Sequence, residues 1–164
     1  MTSMPAARRI DEVNGDSGVY LFALELGGSR SITIGALGRI RFEKGWYLYV
    51  GSARRGLSAR LARHERTGPG KAMKWHIDFL RAHARAVRSF PVPTRRDLEC
   101  RLARDVQRLT AAPVPRFGSS DCACPSHLFR LAGDPRGDPR IAALLDRYRN
   151  RTASGDPVPQ RQGG

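Results

Sequence analysis

In the first third of the chain the apolar residues come in short runs rather than at helical spacing. Gly18-Val19-Tyr20-Leu21-Phe22-Ala23-Leu24 is short and almost wholly apolar, which predicts a buried strand with Gly27-Gly28 as the turn behind it. Ser31 to Ile34 and Arg39 to Phe42 alternate and are separated by Gly35 and Gly38, the pattern of a hairpin. Trp46 to Val50 is strand-like in its aromatic and branched content, with Gly51 closing it. The opening third therefore reads as an antiparallel sheet.

Beyond it the period changes. Leu57 and Leu61 lie one helical turn apart, and Gly68 stops that segment after His64-Glu65-Arg66. Lys74 to Ala84 predicts a helix with Trp75, Phe79 and Ala82 on one stripe, and Ala86 to Val92 a strand ending at Pro91-Val92-Pro93. Thr94, with Asp97 three residues on, has the form of a helix N-cap, and Leu98, Leu102, Val106 and Leu109 continue with helical spacing. His127 to Leu131 reads as one more strand and Ile141 to Tyr148 as a last amphipathic helix. No internal repeat is present. The expected fold is α+β, a small antiparallel or mixed β-sheet flanked by helices. It forms one domain over 16–150 between a loose tail at 1–15 and a Gly/Pro/Gln-rich tail at 151–164.

Charge narrows the class of partner. Lys and Arg total 29 against 15 acidic residues, a formal net charge of +14, and the sequence pI is near 11.2. Such a surface seeks polyanions, most commonly nucleic acid. Only Lys44, Lys71 and Lys74 are lysines; a GC-rich genome would favour Arg over Lys but would not explain the net positive excess. No run is long and apolar enough to span a bilayer, and Met1 to Glu12 lacks the apolar stretch of a secretory signal. The expectation is a soluble cytoplasmic protein without disulfides, with no membrane partner, and monomeric rather than dimeric, since no heptad or apolar surface stripe forces association.

Two strand segments carry tyrosines beside glycine, Gly18-Val19-Tyr20 and Tyr49-Val50-Gly51. After the second come Ser52-Ala53, a Gly56-Leu57 step and a helix bearing Arg60, Leu61 and His64; much later comes Glu99. This ordered set resembles the GIY-YIG nuclease family. The likeness is closest to the branch described only as a domain of unknown function, in which YVGSA-x-x-GL-x-x-RL-x-RH, W-H-I-D and D-C-x-C-x-S-H segments recur. Here these are Tyr49 to His64, Trp75 to Asp78 and Asp121 to His127. The resemblance spans roughly 18–131 and implies an endonuclease that hydrolyses a phosphodiester bond of DNA with one Mg²⁺ or Mn²⁺. The implied context is repair or DNA processing, with a DNA-repair enzyme as a possible partner and RNA not excluded as a substrate.

The resemblance gives Tyr20 the proton of the attacking water, assisted by the metal and its waters, Tyr49 the positioning of the phosphate or a share in that role, and Glu99 the metal. The chemistry is consistent with these assignments. Phosphodiester hydrolysis needs a base, a grip on the phosphate and stabilisation of the leaving oxygen. Arg60 can hold phosphate bidentately, and a hard cation prefers a carboxylate such as Glu99. A tyrosine is a weak base at its free pKa near ~10, so a nearby cation is expected to lower it. Arg60 and His64, four apart, share one helical face, and His64 is a candidate catalytic residue, touching the phosphate or supporting a residue that does, with a satisfied, partly exposed helix histidine as the alternative. Arg54, Arg55, Arg63 and Lys74 are the expected nucleic-acid contacts, and His76 and Asp78 are candidate additions, although two apart on a helix they face different directions.

The chain departs from the family pattern at two points. Its only asparagines are Asn14 and Asn150, near the ends, and Leu21 to Leu48 holds an extra hairpin-like segment. A non-catalytic nucleic-acid-binding or repair-accessory module with the same fold is the alternative reading. Cys122-x-Cys124-x-x-His127 looks like the start of a zinc clip with Cys100 as fourth ligand. A one-residue gap is tight for paired ligands, however, and nothing in the sequence brings Cys100 near. A turn with small buried thiols is therefore the favoured reading.

Overall fold

The computed structural model describes residues 15–110 and 112–154, with side chains through residue 150. The elements in order are β1 (Gly18–Leu26), β2 (Arg30–Thr33), β3 (Arg39–Phe42), β4 (Gly45–Ala53), α1 (Leu57–Glu65), α2 (His76–Arg81), β5 (Ala86–Pro93), α3 (Glu99–Thr110), β6 (Leu128–Arg130) and α4 (Pro139–Ser154). The main sheet is antiparallel in the order β5-β1-β4-β6, and β2 and β3 form a separate ribbon. The fold is α+β, a four-stranded sheet with helices on both faces. Among the described residues no helix is long and apolar enough to cross a membrane.

The uninterrupted apolar run of β1 follows from its position at the centre of two layers. Val19, Leu21 and Ala23 face a core closed by Leu102 and Val106 of α3 and Leu144 and Leu145 of α4. Tyr20, Phe22 and Leu24 face a second core closed by Leu57 and Leu61 of α1, Ile77 and Leu80 of α2, and Ile32 and Phe42 of the ribbon. Because side chains alternate along a strand, a strand covered on both faces shows no polar alternation. The extra segment between the tyrosine motifs is thus a lid over the second core. Pro91 and Pro93 are accommodated because β5 is an edge strand, with β1 as its one neighbour in the sheet.

Four local expectations are corrected. β4 does not close at Gly51 but runs to Ala53, since Gly51 to Ala53 still pair with Tyr20 to Gly18. The helix expected over 74–84 is only α2, and its buried residues are Ile77, Asp78 and Leu80 rather than a Trp75, Phe79, Ala82 stripe. The cause is Asp78, which caps the helix by accepting from the backbone N–H groups of Lys74 (2.8 Å) and Trp75 (2.9 Å) and so delays its start. Thr94 does not cap α3: its Oγ1 accepts from Arg96 N at 3.1 Å in a local turn, and the helix begins at Glu99. α4 spans Pro139 to Ser154, longer at both ends than the Ile141 to Tyr148 helix expected. The rest of the expected tails, 1–14 and 155–164, lies outside the described residues.

Leu102 is fully buried and anchors α3, whose first residue is Glu99. Leu102→Ala is expected to cost about 2–5 kcal/mol in urea unfolding, with an unchanged slope. A loss below about 1 kcal/mol would contradict the docking of α3 on the sheet.

Candidate active site

Tyr20 and Gly51 are direct partners across β1 and β4. The Tyr20 ring lies over Gly51, so that a Cβ built there would overlap the Tyr20 ring and hydroxyl. A glycine at 51 is thus what lets the hydroxyl reach across β4. Two residues back, Tyr49 is partnered with Phe22, and the two tyrosine rings stand 6.4 Å apart on the same face. Gly118, in the left-handed region at φ 70°, packs tightly against the Tyr49 ring from the loop before β6.

Tyr20 Oη is 2.7 Å from His64 Nε2. His64 is 1% exposed and ringed by Tyr20, Phe22, Tyr49 and Trp75, with centroids between 5.4 and 6.3 Å away. Its Nδ1 has no hydrogen-bond partner among the described residues, so Tyr20 is the one polar contact of the imidazole. Burial in this cage pushes the His64 pKa down to about 4, which keeps it neutral at physiological pH. Arg60, one turn earlier on α1, donates to Ser52 O at 3.0 Å and stacks 4.5 Å over the Trp75 ring. Glu99 closes the site from α3, its Oε2 accepting from Ser52 Oγ at 2.9 Å. Burial alone would raise the Glu99 carboxyl. His127, Ser52 and Arg60 outweigh it and hold the group below the ordinary range, ionised.

These side chains line one cavity of about 290 Å³ that contains Tyr20, Tyr49, Arg60, His64, Lys74, His76 and Glu99. The sequence-derived catalytic and metal set is therefore brought together. A neighbouring cleft of about 580 Å³ shares Ser52 and is lined by Arg54, Arg55, Arg95 and Arg96, with Asp16 and Asp97. Two expected contacts fall elsewhere. Arg63 is bound to Asp78 at 2.8 and 3.1 Å and to Ala72 O at 2.7 Å, so its guanidinium holds a loop rather than facing a ligand. Asp78 is buried beneath Arg63 and Lys71 and does not line the cavity. Its carboxyl, which burial would raise, is held low by Arg63 and two backbone donors.

His76 does reach the site. Its Nδ1 accepts from Gly118 N at 2.9 Å, and the neutral ring therefore carries its proton on Nε2. The lowering of the Tyr20 pKa expected from a metal ion together with Arg60 is not reached by Arg60 alone. Burial drives the phenol upward, and Arg60 opposes this without prevailing. Tyr49 is raised well above its ordinary value for the same reason. Sequence reasoning missed Ser52 and Trp75 as site residues. Both lie inside the quoted motif segments, but only folding shows that Ser52 joins Arg60 to Glu99 and that Trp75 supports Arg60.

The cysteine segment departs most from expectation. Cys100, on the first turn of α3, is adjacent to Cys122, Cys124 and His127, and the four ligand atoms lie within 4.8 Å of one another. All three cysteines are free thiols. His127 is 2% exposed; its Nε2 stands 3.5 Å from Cys122 Sγ and its Nδ1 3.3 Å from Glu99 Oε1. The latter pair is close enough for an ion pair when His127 is protonated, but it is not aligned as a hydrogen bond.

A small α+β sheet carrying a tyrosine–arginine–glutamate cavity defines the class of protein. The chain belongs to the family described as domain of unknown function DUF123, whose family model matches residues 19–149. No curated protein and no solved structure matches it.

His64 makes the fold sensitive to acid. Its pKa falls from 6.5 unfolded to about 4 folded, so below pH 6.5 the unfolded chain binds the proton that the native chain refuses. Stability is greatest above pH 6.5 and falls as pH drops toward about 4, by on the order of 3 kcal/mol from this residue. His76 acts in the same direction and His127, whose pKa is raised, in the opposite one, so the test is a difference between two proteins. Denaturation of wild type and His64→Gln across this range should show a flatter profile for the variant; identical slopes would rule out the assignment.

Proposed function

We propose that the protein is a metal-dependent endonuclease of the GIY-YIG type that hydrolyses a phosphodiester bond in DNA. The observation that carries this reading is the convergence of Tyr20, Tyr49, Arg60, His64 and Glu99 on one small cavity beside an arginine-lined cleft. Arg54, Arg55 and Arg95 are exposed and suited to follow a phosphate backbone. One cavity per chain cuts one strand per encounter, which fits a monomer that nicks damaged or branched DNA in the cytoplasm, alone or beside a repair enzyme.

Each side chain then has a task. Tyr20 Oη takes a proton from the attacking water as its own passes to the neutral His64 Nε2; because burial disfavours the imidazolium, His64 holds that proton only transiently. This relay removes the need for a free phenolate, which burial disfavours at this position. Arg60, braced by Trp75 and Ser52, offers its remaining N–H groups to the phosphate oxygens. Tyr49 forms the wall against which the phosphate rests, and Lys74 and the Nε2–H of His76 add donors at the rim. Glu99 suits Mg²⁺ or Mn²⁺: it is ionised, half-buried, at the cavity wall, and each of its oxygens retains a lone pair beyond those facing Ser52 and His127. When bound, the ion would stabilise charge on the leaving oxygen.

Supercoiled plasmid with Mg²⁺ or Mn²⁺ tests the reading. The wild type is expected to convert it to the nicked circle, and Glu99→Gln, Tyr20→Phe and Arg60→Ala each to slow this by roughly 10²–10³-fold. Binding by Glu99→Gln, measured at rising salt, should persist and weaken with ionic strength. Equal rates for wild type and Glu99→Gln would end the catalytic reading. Salt-sensitive binding without metal-dependent cleavage would leave a nucleic-acid-binding module instead, and a matched RNA duplex identifies which polymer is preferred.

A further inference from the structure

We propose that Cys100, Cys122, Cys124 and His127 form a tetrahedral zinc site that fastens the loop before β6 to the first turn of α3. Three observations carry it. The donors come from two segments more than twenty residues apart, yet their ligand atoms converge within 4.8 Å. A tetrahedral zinc with Zn–S of ~2.3 Å and Zn–N of ~2.0–2.1 Å sets sulfur–sulfur edges of about 3.8 Å and sulfur–nitrogen edges of about 3.6 Å. The Cys122 Sγ to His127 Nε2 separation, 3.5 Å, already has that length. The donor set of three soft sulfurs and one imidazole suits zinc rather than a hard cation.

The third observation is the surroundings of His127. A histidine bound to zinc through one nitrogen commonly gives its other N–H to a carboxylate, which sets the tautomer and strengthens the ligand. His127 has the groups of this arrangement in place, with Nε2 toward Cys122 Sγ and Nδ1 3.3 Å from Glu99 Oε1, a pair at contact distance but not aligned as a hydrogen bond. The imidazole is otherwise buried, and the one-residue gap between Cys122 and Cys124, tight for paired ligands on its own, is completed by Cys100 from α3. Zinc binding replaces the thiol protons, which pass to solvent. The ion then holds the loop that carries Gly118, Ser120 and Asp121 to the cavity wall, and through His127 it fixes the orientation of Glu99.

The full chain, purified under reducing conditions without chelator, provides the test. Elemental analysis is expected to find one zinc per chain. Exchange for Co²⁺ should give the visible absorption of tetrahedral cobalt together with a thiolate-to-metal charge-transfer band. A thiol reagent should react slowly with the native protein and rapidly with three thiols after strong chelation, with a lowered Tm. Cys100→Ser should lose the metal although it lies outside the Cys-x-Cys segment. Should that variant fail to fold, the cobalt spectrum and thiol protection of the wild type decide. Absence of zinc combined with a featureless cobalt spectrum overturns the proposal. So does a disulfide in the freshly purified protein, equal thiol reactivity with and without chelator, or iron or copper in place of zinc. None of these readouts depends on DNA cleavage, so this assignment and the nuclease reading fail separately.

Discussion

The site depends on the absence of a side chain at residue 51. The Tyr20 hydroxyl reaches His64 by crossing β4 over the bare Cα of Gly51, where a Cβ would overlap the ring. Antiparallel register places Gly51 directly opposite Tyr20 and Tyr49 opposite Phe22, so the two tyrosines share a face one step apart. Any Cβ at 51 would push the ring off the strand and break the contact with His64. The two tripeptide motifs therefore form one structural unit that is split in the sequence and joined by strand pairing.

Around this crossing the molecule keeps its charges in place with groups that are themselves committed. Trp75 is flanked by Arg60, Arg63 and Lys74 at 4.5 to 4.7 Å, so one indole organises three cations. Arg63 is fixed by Asp78, and Asp78 is fixed by the start of α2. A buried carboxylate is costly unless paired and bonded on every side, and Asp78 meets that condition with four donors. Among the described residues Arg60 donates to no carboxylate: it bonds the backbone oxygen of Ser52 and lies beside the Tyr20 hydroxyl, which leaves donors for an anion.

Glu99 occupies the junction between the two halves of the molecule. It begins α3, which belongs to the core on one face of the sheet, yet its carboxylate lines a cavity on the other. It does so at the end of β4 that extends beyond its pairing with β6, where Ser52 turns toward it. The loop before β6 completes the enclosure through Phe117, buried against Tyr49, Phe42 and His76. His127 then links the cysteine cluster to Glu99, which couples the packing of this loop to the electrostatics of the cavity.

The order and type of the elements were legible in the chain, because burial on one or two faces dictates hydrophobic period directly: the run at Gly18 to Leu24, the paired stretches after it and the Leu98, Leu102, Val106 helix all form as their spacing requires. The residues of the cavity were legible too, through ordered motifs in which chemistry demands particular side chains. What the chain could not show is what depends on distances between remote segments. Arg63 and Asp78 read as site residues and became a buried support. Tyr20 read as a phenol beside a metal and Arg60, and its burial, which Arg60 alone does not offset, showed only in the fold. Cys100 read as remote, and the packing of α3 against the loop before β6 brought it to the other thiols. In each case local sequence sets what a side chain can do, while desolvation and proximity, which exist only once the layers pack, decide what it does.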